Sequence, residues 1–113
     1  MDNGMIGKYV IVRCRDAGVH TGVLVSNEGR ECVLTNSHRL WYWKPAGGAK
    51  FLSGVANHGL DASSKIGEML ERIHLTENCE IILCTEKAEI SIREVKPDAG
   101  AEAGFGGSKP DAE

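Results

Sequence analysis

The sequence is poor in large rings, with two Trp, two Tyr and two Phe among 113 residues. No apolar run approaches the roughly 18–20 residues that a membrane-spanning helix needs. The opening segment, Met1-Asp2-Asn3-Gly4-Met5, lacks the basic and then apolar regions of a secretory signal. These two absences predict a soluble chain made in the cytosol, with no membrane partner. No Lys/Arg cluster of nucleic-acid strength is present, so nucleic acid is left open as a partner and nothing selects it. No glycine loop stands between a strand and a helix to cradle phosphate. Gly104-Phe105-Gly106-Gly107 reads as linker. No Gly-x-Ser-x-Gly elbow appears either.

The four cysteines, Cys14, Cys32, Cys79 and Cys84, form no Cys-x-x-Cys pair. Without an export signal they read as buried reduced thiols, since free Cys behaves as a small hydrophobe. A zinc site would need His38 or His74 brought in from distant strands, and no tight spacing supports it. No metal and no cofactor are therefore expected. His20, His38, His58 and His74 are scattered. Glu68 and Glu71, three apart, suit a solvated helix face better than an acid–base pair.

What charge there is falls unevenly. Residues 1–50 hold seven Lys/Arg against four Asp/Glu, a net +3, whereas 51–96 and 97–113 each carry −3. A basic first half suits an anionic partner such as a nucleotide, a nucleic acid or an acidic protein. A solvated surface, or head-to-tail association of the two halves, accounts for the asymmetry equally well.

Strand signals dominate the first forty-odd residues. Lys8 to Arg15 is β-branched. Val19 to Val25 resumes after Asp16-Ala17-Gly18, with Gly22 at a bulge or bend. Ser26-Asn27-Glu28-Gly29 is a turn whose Asn and Gly tolerate left-handed backbone. Arg30 to Thr35 returns as its partner, Asn36-Ser37 is a short break, and His38 to Lys44 runs extended into Pro45. Residues 49–58 suggest a short helix stopped by Gly59, and 66–72 a helical turn. Ile73 to Thr76 and Cys79 to Cys84 read as strands, the second central and covered on both faces. Thr85 caps a final helix over about 86–95 that buries Ala88, Ser91, Ile92 and Val95. From Pro97 the composition is Gly, Ala, Pro and acid, which cannot bury enough surface to order itself.

The expected fold is α+β and mostly β: a small antiparallel sheet or an SH3- or Sm-like partial barrel, with two short helices and a disordered acidic C-terminal tail. One domain spans 1–96 and the tail 97–113.

One stretch stands out. His38-Arg39-Leu40-Trp41-Tyr42-Trp43-Lys44-Pro45 holds both tryptophans and one of the two tyrosines. On an extended chain side chains alternate, which puts His38, Leu40, Tyr42 and Lys44 on one face and Arg39, Trp41 and Trp43 on the other. Indole faces attract cations and base rings, and Arg grips phosphate or carboxylate bidentately. The same set makes interface hot spots. Its simplest alternative is that two tryptophans fill a core. The candidate ligand or interface residues are thus His38, Arg39, Trp41, Trp43, Lys44 and Lys50.

The segments Lys8–Arg13, Gly18–Leu24, Val33–Lys44, Ala49–Ala56 and Ile73–Thr85, with their Arg-Leu-Trp-Tyr-Trp-Lys core, resemble a family of small proteins of unknown function from tailed bacteriophages and prophages. The likeness covers about residues 6–92. Pro45 departs from it, standing where a more flexible loop residue is expected. The resemblance implies a phage origin and carries no catalytic residues. It leads to a non-enzymatic phage accessory protein, acting in the host bacterial cytoplasm, that binds a host component. In its concrete form this is a homo-oligomer sequestering a nucleotide signal of anti-phage defence. The alternative is a virion structural or assembly protein, and a small enzyme such as a nuclease stands third.

Overall fold

The computed structural model describes residues 4–97. Six strands form one sheet: β1 (Tyr9–Cys14), β2 (Val19–Glu28), β3 (Glu31–Tyr42), β4 (Lys65–Ile66), β5 (Leu70–Leu75) and β6 (Asn78–Leu83). Two helices, α1 (Leu52–His58) and α2 (Glu86–Glu94), and a 3-10 turn at Ala46–Gly48 complete the described elements. The sheet is open, its order is β4-β3-β2-β1-β6, and every pairing is antiparallel. β3 is long enough for two partners on its outer side. β5 pairs with residues 32–37, and β4 with Leu40 and Tyr42.

β5 and β6 lie at opposite edges of the sheet, yet only Thr76 and Glu77 connect them. The sheet must therefore curl until its edges approach at that end. Asn78 N–H donates to the Arg30 carbonyl at 2.8 Å and Arg15 N–H to the Glu77 carbonyl at 2.9 Å, fastening the closure.

β1 is the axis of the molecule because its apolar residues run on both faces. Tyr9 and Ile11 join Leu40, Leu52, Val55, Ala56, Leu60, Ile66 and Ile92 in a core beneath the helices. Val10, Val12 and Cys14 join Leu24, Cys32, Leu34 and Leu75 on the opposite face of the sheet. Each fully buried aliphatic side chain contributes roughly 1.5–3 kcal/mol over an exposed one, so the doubly covered strand anchors the fold.

The helices dock through backbone groups that a short helix leaves open. Thr85 accepts from Ala88 N–H as the α2 cap and donates its hydroxyl to the Asn57 carbonyl, both at 3.0 Å. Thr85 N–H reaches the Ala56 carbonyl at 2.9 Å. Gly59 ends α1 at φ 96, and the Ser91 side chain occupies the space a Cβ there would fill. The Arg93 guanidinium sits 4.9 Å from the Tyr9 ring centroid and pairs with Glu89, seating α2 on β1.

The fold class agrees with the expectation, and several local details differ. The turn expected at Ser26-Asn27-Glu28-Gly29 is made by Gly29-Arg30, because β2 stays paired with β3 through Glu28. Residues 66–72 form no helical turn: Gly67 N–H donates to the Arg39 carbonyl at 2.8 Å, and pairing to β3 draws the segment into the sheet edge. β6 is an edge strand rather than a central one, because only β1 pairs with it, and Cys79, Glu80 and Leu83 are exposed. Asn36-Ser37 is not a break but part of one 12-residue strand, in which Asn36 takes φ 50. Of the four thiols, Cys14 and Cys32 are buried, Cys84 is half-buried and Cys79 is exposed, since β6 has no outer neighbour to cover it. The expectation for the acidic tail lies outside the described residues.

Candidate functional site

The surroundings of the aromatic stretch are set by irregularities in β3. Against β2, Thr21 pairs with His38 but Val23 with Thr35, so β3 carries one extra residue near Asn36. Gly22 opposes this bulge. A Cβ there would lie 2.9 Å from the Thr35 carbonyl oxygen, so the close approach needs glycine. Against β4, Leu40 pairs with Ile66 and Tyr42 with Lys65, leaving Trp41 as a second extra residue.

The second bulge decides which residues share a face, because directly paired residues point to the same side of a sheet. Leu40 and Ile66 face the helix-side core. Lys65 and Ile66 are neighbours on β4, so Lys65 and its partner Tyr42 face away. Trp43 then returns to the side of Leu40 and packs half-buried against the helix-side core. The expectation that Arg39, Trp41 and Trp43 form one face is thereby corrected. The bulge replaces Trp43 with Tyr42 as the ring on the outer side of the strand.

Arg39 pairs with His20, which pairs with Val12 on the side away from the helices. Among the described residues the Arg39 guanidinium has no ion pair. Trp41 is 57% exposed and Tyr42 49%. The outward surface at the end of β3 thus combines Arg39, Trp41, Tyr42 and Lys65. Along the same edge Met69 and Leu70 are also exposed. Two rings beside two cations, held on a strand rather than a loop, can stack a flat group and pair with its negative charge.

The remaining candidates do not join this surface. His38 is half-buried and donates Nδ1–H to the Gly67 carbonyl at 2.8 Å, which pins the edge segment to β3. Lys44 is exposed, while its N–H donates to Ser64 Oγ at 2.9 Å and its carbonyl accepts from Asp61 N–H at 2.7 Å. Lys50 is exposed just before α1, beside the exposed Phe51.

His20 is buried and bonded through Nε2 to the Ala17 carbonyl at 2.9 Å, and its Nδ1 has no partner. Burial pulls its pKa below the ordinary value, and the Arg39 charge adds to that. Burial also pushes the Cys14 thiol up to about 11 and the Cys84 thiol up to about 12, which removes their thiolates at neutral pH. Among the described residues no three His, Cys, Asp or Glu side chains gather to hold a metal.

Tyr42 and Lys65 were absent from the residues expected from the sequence. Only the strand pairing places them beside Arg39, since a two-residue strand such as β4 leaves no periodic signal.

Residues 7–92 match the family model described as a domain of unknown function, DUF6948. No curated protein matches the chain, and no solved structure does.

Proposed function

We propose that this chain, which belongs to the DUF6948 family, is a non-enzymatic binding protein that receives a flat anionic ligand of nucleotide type. The ligand docks on the outward surface made by Arg39, Trp41, Tyr42 and Lys65. The observation that carries this reading is the pair of exposed rings, Trp41 and Tyr42, on the face of an Arg that has no ion pair among the described residues. The resemblance of the Arg-Leu-Trp-Tyr-Trp-Lys stretch to phage and prophage proteins supports an accessory role in the infected bacterial cytoplasm. There the protein, as a homo-oligomer, would sequester a nucleotide signal of host defence.

The test is a titration of the intact protein with cyclic nucleotides and ADP-ribose, followed by Trp fluorescence and calorimetry. Stacking on an aromatic side chain is worth about 1–3 kcal/mol per base. Trp41→Ala should therefore weaken binding by about 5- to 150-fold. The absence of any fluorescence change together with the absence of heat sinks the nucleotide reading.

The exposed Met69 and Leu70 on the same edge favour a second reading, a protein interface in a virion or an assembly intermediate. Mass spectrometry of purified particles decides it, since absence of the chain from particles rules out the virion role.

A further inference from the structure

A second, separate concavity lies on the helical side of the molecule. Ala46, Gly47, Gly48, Ala49, His58 and Lys87 line an open groove of about 310 Å³. No carboxylate is among those residues. His58 is the last residue of α1, Lys87 the second of α2, and the glycines belong to the turn leading into α1. Among the described residues neither the His58 nor the Lys87 side chain has a hydrogen bond, and neither has an ion pair.

The groove is firmly framed. Thr85 ties the start of α2 to the Ala56 and Asn57 carbonyls of α1. Ser91 Oγ accepts from Leu60 N–H at 3.0 Å and lies 3.2 Å from the Leu60 carbonyl. On the other wall, Ala46 N–H donates to the Gly59 carbonyl at 2.9 Å. The turn rests directly on α1, since a Cβ on Gly54 would meet Ala49 and Pro45. Gly47 and Gly48 take φ of 71 and 83, left-handed backbone that other residues rarely adopt. Nothing lies within 4 Å of where their Cβ atoms would be, so packing does not explain the glycines and the backbone there stays open to the groove.

We propose that this groove binds a phosphate-type anion, either inorganic phosphate or the phosphoryl group of a small phosphomonoester. Lys87 supplies the fixed charge, His58 a ring N–H, and the bare Gly47-Gly48 backbone close approach. The volume, at the lower limit of the roughly 300–1,000 Å³ usual for small-molecule sites, admits phosphate or a small phosphomonoester. This site is independent of the Trp41 surface, so the two stand or fall separately.

Phosphate and methyl phosphate are titrated into the isotope-labelled full chain, with sodium chloride at matched ionic strength as the control, and the backbone amides are followed by NMR. Saturable shifts at Gly47, Gly48 and Lys87 are expected with at least one of the two ligands and not with chloride. Affinity should fall at least about tenfold in Lys87→Met, and less in His58→Gln. Lys87 is exposed, so Lys87→Met should leave the circular dichroism spectrum unchanged. The absence of shifts with both ligands up to about 50 mM, far above the mM range of a weak anion site, overturns the proposal. Shifts equal in the wild type and in a folded Lys87→Met protein overturn it as well.

Discussion

Trp41 and Trp43 flank the last residue of β3 and live in different surroundings. Trp43 packs against the helix-side core with Leu40, whereas Trp41 belongs to neither core cluster and is 57% exposed. Regular alternation would give the two rings one environment. A single extra residue between the Leu40–Ile66 and Tyr42–Lys65 pairs undoes that. Two residues of the same type, two positions apart, thus serve different ends: one fills a core and the other is left to meet a partner.

The difference should appear first in stability. Trp43→Ala should cost about 2–4 kcal/mol, somewhat below the loss for a fully buried ring because Trp43 is half-buried. Urea unfolding measures this, and a loss below about 0.5 kcal/mol would place Trp43 on the surface instead. Next comes the geometry that sets up the comparison. Gly22→Val drives a branched side chain against the Thr35 carbonyl and the Ser37 backbone at the first bulge. It should destabilise the protein by about 1–3 kcal/mol and broaden the amide signals of β3.

A smaller effect comes from His20, the neighbour of Arg39 on the outer side. Its folded-state pKa lies below the ordinary value, chiefly through burial, so the unfolded chain takes up the proton first. Its contribution to stability is complete above the unfolded pKa of about 6.5 and is lost as pH falls from there through the folded value. Stability measured between pH 7.5 and 5 should decline, and His20→Gln should flatten that slope. An unchanged slope would mean that His20 titrates as freely as an exposed histidine. The smallest stability effect belongs to Trp41→Ala, within about 0.5 kcal/mol, despite the size of the ring removed.

Much of this architecture could be read in the residues. The β-branched run of β1 and the Thr85 cap each have a local cause that works without tertiary help, and each appears where the residues put it, whereas the turn expected at residues 26–29 falls at Gly29-Arg30. The misreadings share another cause. The segment 66–72 has helix-like spacing, but hydrogen bonding of Gly67 to β3 and pairing of Leu70 with Ser37 outweigh a local preference worth little per residue. The run Ile81-Ile82-Leu83 looked central because it is continuous and apolar. In fact Ile81 and Ile82 are shared between the two cores, while the strand itself has a neighbour on one side only.

The site was half legible for the same reason. Arg39 and Trp41 follow from composition and spacing alone. Tyr42 and Lys65 join them only through a bulge, and nothing in the stretch Leu40 to Trp43 announces an extra residue. The groove near Lys87 joins residues some forty positions apart in the chain. Its visible trace was the Gly47-Gly48 dipeptide, which on its own marks no more than a loop.

The division between the two indoles can be measured directly by acrylamide quenching of single-tryptophan proteins. In Trp43→Phe only Trp41 emits, and in Trp41→Phe only Trp43. The structure predicts several-fold stronger quenching and a redder emission maximum in Trp43→Phe. Equal quenching of both proteins, or stronger quenching of Trp43, would contradict the placement of the bulge and with it the surface assigned to Arg39, Trp41, Tyr42 and Lys65.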